Sequence, residues 1–131
     1  MSYFSLMLAP LEGITGPSFR SVCHKYGADL TFTEMSRIDA LARNNQSTLS
    51  RLSIHSDTPT VIQLFGLKES DFSKFLKSFS PPPGFRGFNL NLGCPASGII
   101  RLGMGCAMIR RVAKTQKIVK VFRDLGFPVS V

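Results

Sequence analysis

Cys94 stands between Gly93 and Pro95, just past an apolar segment that ends at Leu92. Glycine permits a sharp turn, while proline stiffens the loop and removes a competing N–H. A thiol held in such a turn can act as acid or nucleophile. Cysteine is also a common small buried hydrophobe, and taken alone the position reads slightly better that way. Gln63 interrupts the apolar run Val61, Ile62, Leu64 and Phe65. A buried amide left without partners costs about 1–3 kcal/mol. Gln63 therefore either bonds to a neighbouring strand or loop, or offers its donor and acceptor to the edge of a pyrimidine-like ring. Asn91 also lies in an apolar stretch and reads either way. Glu34 can pair with Arg37 or with a basic residue across the fold, a structural role.

Two further cysteines are present, three in all, with no CxxC or CxxH spacing. That count implies neither a disulfide framework nor a zinc site, no metal is expected, and a reducing cytosol fits best. Cys23 falls on an apolar helix face and reads as core. Cys106, within Gly103-Met104-Gly105-Cys106-Ala107, reads as packing. His24 and His55 receive no role.

The elements that must hold these residues alternate along the chain. Strands are expected near 3–9, 29–34, 60–65, 86–92 and 127–131. Thr15 is expected to cap a helix with Pro17 in its first turn, and Gly27 to end it. Phe19, Val22, Cys23 and Tyr26 follow the i, i+3, i+4, i+7 spacing of one helical face. Arg37 to Arg43 reads as a short helix, and 44–57 as polar and loop-rich. Phe72, Phe75, Leu76 and Phe79 repeat the helical spacing before Pro81-Pro82-Pro83-Gly84 stops it. Residues 93–108 read as a Gly-rich loop and turn. A last helix is expected from Thr115 to Leu125, with Ile118, Phe122 and Leu125 inward.

The order βαβαβαβαβ means parallel strands with right-handed crossovers and helices outside. A complete (β/α)8 barrel takes about 250 residues, so the fold class expected for these 131 residues is α/β of TIM-barrel type, about its first half. An open doubly wound sheet is the alternative, but Ala9-Pro10-Leu11-Glu12-Gly13 is not the G-x-G-x-x-G such a sheet wants after strand one. Barrel chemistry sits at the C-terminal strand ends. Four segments fall there: 9–13, 33–37, 63–66 and 89–95. Each breaks an apolar strand with polar, Gly or Pro residues.

Composition bounds the function. The chain is 44% hydrophobic and 18% charged, so it buries a core and is not disordered. Its formal charge of +8 suits a polyanion such as RNA, or equally a basic but ordinary enzyme surface, since the Lys and Arg residues are scattered. The apolar start lacks a basic flank and is too short for a signal peptide, and no apolar run approaches the roughly 20 residues that span a bilayer.

In order and spacing, Ala9-Pro10-Leu11-Glu12-Gly13-Ile14-Thr15, Tyr26-Gly27-Ala28-Asp29, Thr33-Glu34-Met35, Gln63-Leu64-Phe65-Gly66, Asn91-Leu92-Gly93-Cys94-Pro95 and Gly103-Met104-Gly105 resemble the tRNA-dihydrouridine synthases. The likeness covers nearly the whole chain, and Asn-x-Gly-Cys-Pro is its most specific part. Leu11 stands where the family usually has Met, a swap of similar volume.

The resemblance implies a TIM barrel followed by a helical tRNA-binding domain. FMN lies across the barrel mouth, NADPH reduces it, hydride passes to C6 of a tRNA uracil, and a cysteine protonates C5. By position Cys94 is that acid. Pro10, Leu11, Gln63 and Asn91 match flavin-contacting positions, and Arg37 and Asn91 match positions that contact the substrate tRNA. A thiol of ordinary acidity, pKa about 8.5, is protonated at neutral pH and can donate.

The same comparison implies that residues 1–131 are the N-terminal part of the catalytic domain. A flavin-binding Lys, a later His, the phosphate loops and the helical domain would lie further on, or a completing chain would supply them. The alternatives are a non-catalytic RNA-binding or interaction fragment of such an enzyme, or a flavin barrel acting on a free pyrimidine, which Gly-Cys-Pro after Asn argues against. A cytoplasmic enzyme acting on tRNA is the expectation.

Overall fold

The structure, a computed structural model, describes residues 5–131. Thirteen elements follow in order: β1 (Met7–Leu8), α1 (Pro17–Lys25), β2 (Leu30–Phe32), β3 (Ser36–Arg37), α2 (Ile38–Ala42), α3 (Gln46–Ser50), β4 (Thr60–Phe65), α4 (Glu69–Ser78), β5 (Phe85–Leu90), α5 (Ser97–Arg101), a 3₁₀ helix (Gly105–Arg110), α6 (Val112–Asp124) and β6 (Val129–Ser130). Every strand pairing is parallel, in the order β1-β2-β4-β5-β6, with β3 also against β4. With β2 and β3 counted as two pieces of one interrupted strand, strands that neighbour in sequence neighbour in space, the arrangement of a (β/α)8 barrel and not of a doubly wound sheet. No described helix is long and apolar enough to cross a membrane.

The first strand is shorter than the expected 3–9, whose residues 3 and 4 lie outside the described ones. The expected second strand is cut at Thr33. It resumes as β3, so β2 pairs with Thr60 and Val61 while β3 pairs with Leu64 and Phe65 of the same neighbour. Segment 44–57 is not all loop. Asn45 caps α3, its Oδ1 accepting from the Thr48 N–H at 2.9 Å. Segment 93–108 likewise holds α5 and most of the 3₁₀ helix, and α6 begins at Val112, ahead of Thr115.

Thr15 does not cap α1. Gly16 occupies that position, and the Thr15 hydroxyl instead bonds Leu11 N and O, because the loop after β1 curls back on itself. The apolar face of α1 is not core either: Phe19, Val22 and Tyr26 are exposed and Cys23 is half-buried. The face α1 turns inward carries Arg20.

β4 shows what a covered parallel strand needs. All six of its residues are buried. Ile62 and Leu64, with Phe88 and Leu90 of β5, face helices α2, α4 and α6 and form one core with Ile38, Leu41, Phe72, Phe75, Ile118 and Phe122. A bulge sets the register of β5. Thr60 pairs with Phe85 but Val61 pairs with Gly87, so Arg86 is skipped. The extra residue puts Phe85 and Phe88 on the same helix-facing side, ring centroids 5.0 Å apart. Gly87 takes φ 135°, and a Cβ there would meet the Pro128 carbonyl oxygen at 3.0 Å. Beyond the bulge, Asn89 shares the opposite face with Gln63, and alternation adds Asn91 to it.

Candidate active site

The C-terminal ends of β4 and β5 carry an unbroken chain of side-chain amides. Gln63 Nε2 donates to Asn89 Oδ1 at 2.8 Å, and Asn91 Nδ2 donates to Gln63 Oε1 at 3.2 Å. Asn91 Oδ1 then accepts the Cys94 backbone N–H at 3.0 Å. At the other end Asn89 Nδ2 donates to Ser130 Oγ at 2.9 Å. The hydrogen bonds all run one way, from Cys94 N–H towards Ser130, so each amide both donates and accepts. That direction fixes which way Gln63, only 7% exposed, presents its oxygen and nitrogen. The Gln63 backbone N–H bonds the Thr33 hydroxyl at 2.9 Å where the strand on that side is broken.

Cys94 is half-buried. Its carbonyl accepts the Cys106 N–H at 3.1 Å, which ties the loop after β5 to the start of the 3₁₀ helix. Gly105 passes so close that a Cβ there would lie 2.5 Å from the Cys94 oxygen. Its φ of 58° is the left-handed region that favours glycine.

Pro10 and Leu11 sit at the same end of the sheet, after β1. They belong to a separate loop, in which Ile14 and Thr15 N–H groups bond the Leu11 carbonyl. Arg20 anchors that loop from beneath. It is 1% exposed and donates to Thr15 O at 3.0 Å, Ser53 O at 2.7 Å and Thr60 Oγ1 at 3.3 Å. Burial pulls its pKa down from the ordinary guanidinium value, and the charge of Glu34 acts the other way.

Arg37 projects at the rim, bonded through Nε and one terminal nitrogen to the two oxygens of Asp39, both at 3.0 Å. Arg43 joins the same carboxylate. Burial acts to raise the Asp39 pKa, but the hydrogen bonds and charges of Arg37 and Arg43 outweigh it and hold the carboxyl below its usual range. Glu34 pairs with Arg51 at 3.6 Å and not with Arg37; Arg51 also bonds Glu12 at 2.8 Å. A cavity of about 380 Å³ opens among Glu12, Met35, Ser36, Arg37, Thr48 and Arg51.

Of the residues singled out from sequence, Gln63, Asn91 and Cys94 are therefore joined, while Pro10, Leu11 and Arg37 stand on neighbouring strand ends. Asn89, Arg20 and Arg51 were not singled out. The alternation Phe88-Asn89-Leu90-Asn91 carried the signal for Asn89, since residues two apart in a strand share a face. Among the described residues no group of three or more His, Cys, Asp or Glu could hold a metal ion.

A sequence model of the dihydrouridine synthase family (Dus) matches residues 7–131. A probable tRNA-dihydrouridine synthase 2 of Bacillus subtilis (strain 168) is 31% identical over 129 residues, covering 95% of this chain and 39% of that protein. The tRNA-dihydrouridine synthase B of Pasteurella multocida is 29% identical over 128 residues, covering 96% of this chain and 38% of that protein. A probable tRNA-dihydrouridine synthase of Staphylococcus epidermidis is 30% identical over 129 residues. The chain spans about two fifths of the length of these curated relatives.

Proposed function

The chain belongs to the dihydrouridine synthase family, and from that premise we propose that a protein carrying it reduces uridine in tRNA to 5,6-dihydrouridine, with FMN as hydride carrier and NADPH as reductant. The observation that carries this reading is the amide chain leading from Gln63 through Asn91 to the backbone of Cys94. An amide nitrogen has two hydrogens, and Gln63 and Asn91 each spend one inside the chain. The remaining N–H groups suit the carbonyl and ring-nitrogen edge of an isoalloxazine or a uracil, so the residues present fit the cofactor. Pro10, Leu11, Gln63 and Asn91 hold it in this reading. When bound, FMN supplies the hydride for C6.

Cys94 holds a proton on Sγ and delivers it to C5, so that hydride and proton together saturate the C5–C6 bond. Asn91 serves twice: Oδ1 fixes the turn on which Cys94 sits, and Nδ2 lies beside flavin and base. Arg37, braced by Asp39 at the rim, contacts the RNA. The target base must leave its stack to reach a barrel mouth, and the charge of +8 favours the tRNA backbone. Residues 1–131 form the N-terminal part of the barrel in this reading, the remainder and the helical domain coming from further sequence or a completing chain. A cytoplasmic location is part of this reading.

The test is Cys94→Ala in a protein of full family length that carries this segment. FMN binding and its reduction by NADPH should persist, while dihydrouridine formation, read by mass analysis of tRNA, should fall by about 10²–10⁴-fold, the usual contribution of a general acid. Near-normal turnover would remove Cys94 from the chemistry.

A further inference from the structure

We propose that Cys94 and Cys106 form a reversible oxidation site, closing to an intramolecular disulfide when a peroxide reaches the strand-end rim. Cys106 N–H bonds Cys94 O at 3.1 Å. A contact of that kind sets the two Cα atoms roughly 5–6 Å apart, inside the roughly 4.4–6.8 Å a disulfide spans. The chain also passes close at the preceding residue, where a Cβ on Gly105 would lie 3.1 Å from the Cys94 Cβ, and closing the bond requires the Cys106 side chain to turn towards that same point. Both cysteines are half-buried and free, so each is open in part to a small oxidant. Cys23 is free too. It sits near the end of α1, where its carbonyl accepts the Ala28 N–H just before β2 begins, so it lies at the opposite end of the sheet.

The chemistry balances with hydrogen peroxide as the oxidant. One thiolate, Cys94 or Cys106, attacks a peroxide oxygen, breaking the O–O bond and becoming a sulfenic acid as water leaves. The second thiol attacks that sulfur, the S–O bond breaks, and a second water leaves. Two thiols lose two electrons and two protons, and one peroxide becomes two waters. A dithiol such as dithiothreitol reverses the bond by exchange. In the disulfide Cys94 has no proton to give. Its effect on turnover rests on the proton-donor reading above, whereas the bond itself does not.

Trypsin separates the two cysteines at Arg101, giving peptides 87–101 and 102–110. The native chain, treated with limiting hydrogen peroxide and then N-ethylmaleimide, should keep one alkylated thiol of three and yield those two peptides cross-linked, and dithiothreitol should release them. Cys23→Ser should leave the cross-link unchanged, and Cys106→Ser should abolish it and leave Cys94 to over-oxidise. Cys94 oxidised to sulfinic acid with no cross-link, or a disulfide only between two chains, would overturn the proposal. In a full-length enzyme, peroxide should abolish dihydrouridine formation and dithiothreitol restore it. A cross-link that forms without loss of activity would instead sink the proton-donor role of Cys94.

Discussion

Helix α4 and helix α1 carry the same apolar spacing, and only one of them uses it inward. Phe72, Phe75 and Leu76 are buried and Phe79 packs against the core. Phe19, Val22 and Tyr26, at matching positions in and after α1, are exposed, Tyr26 by 82%. Both helices have basic residues in the last turn, and α4 adds Glu69 and Asp71 in its first, so neither end chemistry nor period separates them by much. Neighbours do. α4 lies between α2 and α6 behind β4 and β5, whereas the main partner of α1 is β2. A helical period states that a face can be buried; which face is buried depends on what packs beside it.

The largest effect should come from the α4 side. Phe88 is 1% exposed and its ring lies 5.1–6.4 Å, centroid to centroid, from those of Phe75, Phe79 and Phe127. Phe88→Ala removes a ring that several others lean on and leaves a cavity they can fill only in part. A loss of about 3–5 kcal/mol is expected, measured as a lower urea midpoint with unchanged slope. A cost near 1 kcal/mol would mean that this core collapses readily and that α4 and α1 differ little in what their burial contributes.

On the α1 side the sensitive residue is the charged one. Arg20→Met should cost about 2–4 kcal/mol, because the carbonyls of Thr15 and Ser53 lose their donor and each unpaired group costs about 1–3 kcal/mol. Arg20→Lys should not restore it, since one ammonium cannot reach three acceptors that a planar fork spans. Rescue by Lys would show that charge near Glu34, not the fork, is what α1 needs.

These contrasts explain what could be read in advance. The parallel alternation, β4 and the α4 face were legible because each combines a local period with residues buried on both sides. The apolar stripe of α1 misled because periodicity carries no information about the neighbouring element. Arg20 was invisible for the same reason: its partners lie 5, 33 and 40 residues away. Gln63 and Asn91 stood out as polar residues inside apolar runs. That they meet, with Asn89 between Gln63 and Ser130, depends on the bulge before Gly87, which no strand pattern announces.

The smallest expected effect is the sharpest test of the comparison. Phe19→Ser and Tyr26→Ser replace exposed rings with a residue of nearly equal helix propensity, so the change in the isolated chain should stay within about ±0.5 kcal/mol. The same spacing in α4 would make Phe75→Ser cost several times more, as it strips a buried ring and inserts a hydroxyl among apolar groups. Urea denaturation of the three variants gives the ratio directly. Should Phe19→Ser or Tyr26→Ser cost 2 kcal/mol or more, on the scale of about 1.5–3 kcal/mol for burying such a side chain, the α1 face is covered in solution. The two helices would then differ in partner rather than in orientation. Repeating Phe19→Ser in a full-length relative of this chain separates the cases: a cost seen only there assigns the cover to sequence outside these residues, and a cost seen in both assigns it to self-association, which dilution would weaken.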